Sequence, residues 1–172
     1  MKSQNPHQSA AAAIVVATLA IAGCGGSSSS STSASGTATT GTMTTERAAH
    51  TYLAAVATPN EVLRTFLATA NRWTDSTPST QAAADAKPLI EAITTLRTKL
   101  QALAAAFPTA ATDLKAVVTA QALLQGDLAS LAAVNALNAS SFAQTITRDA
   151  RALRAATVIV RSHLGLPPPP TS

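Results

Sequence analysis

Between residues 46 and 166 the apolar positions fall on helical spacing. The clearest run is Leu89, Ile93, Leu96, Leu100, Leu103 and Phe107, at unbroken steps of four and three. That heptad-like seam predicts a helix packed nearly antiparallel or parallel to its neighbours. Pro88 fits its first turn, with Asp85 as a cap and one or two extra turns over 79–86. A third helix is expected from about Thr109 to Val134, with Leu114, Val117, Val118, Leu124, Leu128 and Leu131 inward. Gln121 falls on the same stripe, and its type suits a half-exposed helix boundary. Gly126 lies mid-helix, where it costs up to about 1 kcal/mol relative to Ala. A close approach by a neighbouring helix would account for it.

The fourth helix has a legible start and stop. Asn138 reads as N-cap, and Leu137 and Phe142 have the spacing of a hydrophobic staple. Phe142, Ile146, Leu153, Val160 and Leu164 then face inward, with Ala150 and Thr157 on the same stripe, and Gly165 ends the helix. The first helix is less regular. Thr58-Pro59-Asn60-Glu61 has the form of a capping box with Pro in the first turn, which predicts a helix from Pro59 to about Thr74. Residues 46–57 are also helical in pattern, so this region is either one helix kinked at Pro59 or two helices split there. The fold class expected is all-α: an antiparallel up-down-up-down four-helix bundle over 46–166.

Composition adds detail to that picture. The domain contains only Gly126 and Gly165 as glycines, no Asn-Gly or Asp-Gly hairpin signal, and abundant Ala and Leu. Five aromatic residues in the whole chain leave little bulk for walls around a deep pocket. Trp73, on the stripe of Leu63, Phe66 and Ala70, is expected in the core. Residues 25–45 are Gly, Ser, Thr and Ala with one Met, and have no apolar period. Such a segment behaves as a flexible tether with a root-mean-square span of about 25 Å. Residues 167–172 are a Pro-rich tail read as a solvated polyproline stub.

Little of the chain suggests catalysis. Its acidic residues are dispersed; Glu46, Glu61, Asp85 and Asp113 read as first-turn charges that suit helix dipoles. There is no Glu-x-x-His, nucleophile elbow, phosphate loop or zinc spacing. His50 and His163 fall near helix termini that the bundle brings to one end. They are weak candidates for a bis-His haem or metal site; the ordinary reading is two solvated histidines, with no metal and no cofactor. Arg148, Arg151, Arg154 and Arg161 give the fourth helix a basic side. It reads as a solvated face, with contact to anionic lipid or an acidic envelope polymer as the functional alternative. Without Lys2 the chain has eleven Lys/Arg against eight Asp/Glu, too small an excess for a nucleic-acid protein.

The single cysteine sharpens localisation. Lys2 and the apolar stretch Ala10–Ile21, too short to span a bilayer, end in Ile21-Ala22-Gly23-Cys24. This resembles the lipobox of bacterial lipoproteins at all four positions. The resemblance implies that residues 1–23 are a signal peptide removed on export and that Cys24 carries the lipid. A lone cysteine then needs no disulfide partner. The lipobox, the Ser/Thr/Gly tether over 24–45, Tyr52–Asn60, Leu164–Pro168 and the excess of Arg over Lys together resemble small lipoproteins of high-GC Gram-positive bacteria. That group brings no catalytic or binding residues with it. The expectation is therefore a membrane-anchored, non-enzymatic helical interaction module on the outer face of the cytoplasmic membrane. Its partner would be an envelope protein or an anionic lipid surface. A small-ligand or lipid-binding bundle is the alternative, and an enzyme ranks below it.

Overall fold

A computed structural model describes residues 43–134 and 137–169. The signal segment, Cys24 and the tether up to residue 42 lie outside the described residues, as do 170–172. Among the described residues there are four α-helices: α1 (Thr45–Ala70), α2 (Ser79–Ala106), α3 (Ala111–Ser130) and α4 (Ala139–His163). Short 3₁₀ turns at Pro108–Ala110 and Leu131–Ala133 bracket α3. α1 packs on α2, α2 on α3 and α3 on α4. Short connections and cross-helix pairs make each antiparallel. Trp73, just after α1, bonds Asp85 in the early part of α2. The short connection at 107–110 turns α3 back along α2, and Arg97 of α2 bonds Gln125 of α3 across the pair. Asp113 at the start of α3 meets His163 at the end of α4, and Asp127 near the end of α3 meets Arg148 in α4. The expected all-α four-helix bundle is the fold.

Burial explains why these segments are helices. The α2 seam Leu89, Ile93, Leu96, Leu100 and Leu103 is buried along its length, in one core with Leu114, Val117, Leu124 and Leu128 of α3 and Ile146, Leu153 and Val160 of α4. Small alanines fill the helix crossings: Ala48, Ala82, Ala86 and Ala110 are fully enclosed. Trp73 is buried as expected. Its ring meets Phe66 edge-on at 5.5 Å and Phe142 at 5.6 Å, joining α1 to α4 at one end of the bundle. Asn138 is the N-cap of α4, accepting from Ser141 N–H at 2.8 Å. Asp75 supports the same helix start by accepting from Ala139 N–H at 2.9 Å. Gly165 closes α4 with φ of 66°, a left-handed turn that suits glycine.

Several expectations are corrected. α1 runs unbroken through Pro59, so the split into two helices does not occur, and Thr44 rather than Thr58 caps it, accepting from Arg47 N–H. α2 begins at Ser79, which puts Pro88 inside the helix and not in its first turn. Asp85 is no cap: it accepts hydrogen bonds from Trp73 Nε1 and Gln81 Nε2. Glu61 and Asp85 lie in helix interiors rather than first turns. In both helices an apolar stripe extends on each side of the proline, and its burial outweighs the local proline penalty. Gly126 is exposed and a Cβ there would touch nothing within 4 Å, so no neighbouring helix requires it.

Candidate functional site

Apart from Asp149, the buried polar side chains lie where α1, α3 and α4 converge. Tyr52, Gln121, Thr157 and Arg161 are each no more than 3% exposed. Gln121 thus belongs to the interior and not to a boundary, and its Oε1 has no hydrogen-bond partner. Burial pushes the Tyr52 phenol above its ordinary value of 10.0, while the Arg161 charge and the Thr157 hydroxyl pull it back. Tyr52, Gln121 and Thr157, with Asn60, also line a central cavity of about 40 Å³, walled otherwise by Val56, Pro59, Leu63 and apolar side chains of α2, α3 and α4. This volume holds a water or two. It falls far below the several hundred Å³ of an ordinary small-molecule site.

Arg161 overturns the reading of a uniformly solvated basic face on α4. It points inward, its Nε donates to Pro167 C=O at 2.6 Å, and its Nη1 is buried without a partner. Leu166 N–H returns to Arg161 C=O at 2.8 Å. The start of the Pro-rich tail therefore turns back on the bundle at Pro167 C=O, with Pro167 and Pro168 exposed and Pro169 buried. Arg148 is exposed but engaged: Nη2 reaches Asp127 Oδ2 at 3.0 Å and Asp149 Oδ1 at 2.9 Å. Arg151 remains exposed and Arg154 half-buried. Asp149 is buried, and one of its oxygens has no partner. Hydrogen bonding to Asp149, with burial and the Asp149 charge behind it, raises the Asp127 carboxyl above 3.8, and Arg148 offsets part of this. Sequence spacing gave no signal of this Asp-Arg-Asp clasp, whose members come from two helices.

The two histidines face different neighbours. His163 Nδ1 lies 2.6 Å from Asp113 Oδ2 on the α3–α4 side of the bundle. His50 lines a groove between α1 and α2. They occupy opposite edges of the bundle, so the bis-His arrangement is not assembled. No group of three or more His, Cys, Asp or Glu that would hold a metal ion forms among the described residues.

The groove that His50 lines is a surface feature of about 540 Å³. Met43, Ala54, Ala55, Ala102 and Leu103 form much of its wall, and Lys99 stands at its edge. It lies at the bundle end where the chain enters from residue 42. A second α1–α2 groove, about 370 Å³, sits at the other end beside Glu61, Asp85 and Pro88. Among the described residues one segment, Pro108–Ala133, has the length and composition to cross a membrane, yet its Leu114, Val117, Leu124 and Leu128 serve as bundle core. Comparison of the chain with protein-family models, with curated proteins and with solved structures finds no match in any of the three.

Proposed function

We propose that this chain is a lipoprotein of the kind found in high-GC Gram-positive bacteria. Cys24 anchors it to the outer face of the cytoplasmic membrane, and its helical bundle works as a non-catalytic interaction module. The observation that carries the reading is the junction of Ile21-Ala22-Gly23-Cys24, a Ser/Thr/Gly segment and a bundle with its own continuous core. Such a bundle needs neither disulfide nor metal to hold its shape. Its central cavity is too small for a lipid chain, which favours action at the surface over ligand storage inside.

The experiment is fractionation of wild-type and Cys24→Ala chains expressed in a high-GC Gram-positive host. The reading expects wild type in the membrane fraction, released only by detergent. Cys24→Ala should keep the same helical signal but lose detergent-dependent release. Equal partition of the two chains would refute the anchor.

A further inference from the structure

The charges of the bundle are unevenly divided along its axis. The half nearest Met43 holds Arg47, Arg97, Lys99, Lys115, Arg154 and Arg161 against only Glu46 and Asp113. The other half holds five basic and six acidic side chains. The basic half is the one that contains the start of α1, so it is the end on which the tether is attached. Arg47, Lys99 and Lys115 are exposed there. Asp113 is half-buried and engaged by His163, so it offsets little of that surface. Arg161 has no acidic partner among the described residues, and its buried charge adds to the field at the same end. The apolar groove of Met43, Ala54, Ala102 and Leu103 opens at this end, with Lys99 and His50 beside it.

We propose that the tether-side end of the bundle docks on an anionic phospholipid surface, with Lys99 and Lys115 facing headgroup phosphates. The complementary partner follows from charge: an end with an excess of cations, on a short leash, meets a surface of fixed negative charge. The choice of a bilayer as occupant rests on the Cys24 anchor reading, but the contact itself is independent of acylation. A basic side chain near an anionic bilayer contributes about 1 kcal/mol, or roughly a fivefold change in partition. Screening over a Debye length of about 8 Å at physiological salt makes the contact salt-sensitive.

The test uses the full chain carrying Cys24→Ser, with vesicles of phosphatidylglycerol and phosphatidylcholine or of phosphatidylcholine alone. The 1–23 segment, with Lys2 and the amino terminus, adds an anionic preference of its own, which is common to the parent chain and both variant pairs and is removed when those chains are compared. The proposal expects a preference for the anionic vesicles that vanishes at high salt. Lys99→Gln with Lys115→Gln should weaken that preference about 25-fold, from two fivefold losses. Lys87→Gln with Arg72→Gln makes the same change of net charge at the opposite end, beyond a Debye length of the docked surface, and should leave the preference nearly unchanged. Equal losses from both pairs would show that net charge, not this end, drives binding, and would overturn the proposal. So would no anionic preference, or a Lys99/Lys115 effect on self-association in sedimentation without one on vesicles. Because the chain lacks the acylated residue, these outcomes stand apart from success or failure of the anchor.

Discussion

Replacing Pro59 by alanine should stabilise the protein. Pro59 lies inside α1, where it has no N–H to donate to Ala55 C=O and its ring crowds that carbonyl. In a helix interior proline is about 3 kcal/mol less favourable than alanine. Against this, the Pro59 ring is half-buried and lines the central cavity. Alanine removes two ring methylenes, each worth about 0.8 kcal/mol when fully buried, so the lost packing is about 1 kcal/mol. The net gain is about 2 kcal/mol. For a domain of this size that raises Tm by about 8 °C. Pro88 provides an internal comparison. It is also inside a helix but exposed, so Pro88→Ala loses little packing and should gain at least as much. Urea and thermal unfolding followed by the helical circular dichroism signal, with an unchanged m-value, would measure both. A Pro59→Ala midpoint below wild type would refute the reasoning, because it would mean that the proline shapes the bundle in a way the continuous helix does not require.

Further outcomes follow from the core and the clasp. Leu100→Ala, at a fully enclosed site, should destabilise by about 2–5 kcal/mol in the same unfolding assay. Tyr52 is the only tyrosine, so ultraviolet titration of its phenolate is unambiguous. It should ionise above 10.0, and Arg161→Met should move it higher still by removing the cation that pulls it back. Because the folded state holds the phenol proton more tightly than the unfolded chain does, stability should fall as pH rises from about 10 through the folded value. Asp127 follows the same sign in the acid range. Its folded value lies above 3.8, so its contribution favours folding at low pH and declines as pH rises through that window. Asp127→Asn should remove that component from the stability–pH profile, and an identical profile would contradict the clasp.

The helices were legible because their signals are local. The Leu89–Phe107 spacing, the Asn138 cap and Gly165 each act within a few residues, and each appears in the fold as the sequence implies. Pro59 and Pro88 misled for a physical reason. A proline carries a strong local stop signal, but Tyr52 and Val56 before Pro59 and Phe66 and Leu67 after it are all buried on one stripe. Tertiary packing overrides the local penalty, and no short window shows that. Arg161 and Gln121 were misplaced for a related reason. Their residue types favour solvent, while their positions on α4 and α3 put them among core side chains. The engagement of Arg161 with Pro167 depends on the chain turning back at Gly165, which spacing alone does not express. The anchor, in contrast, rests wholly on sequence, since Cys24 lies outside the described residues.

An intact-mass spectrum of the protein recovered from membranes of a high-GC Gram-positive host tests the central claim most directly. The account predicts a chain that begins at Cys24 and carries a diacylglyceryl thioether on Sγ. A chain that retains residues 1–23, or one that begins elsewhere with Cys24 unmodified, would contradict it.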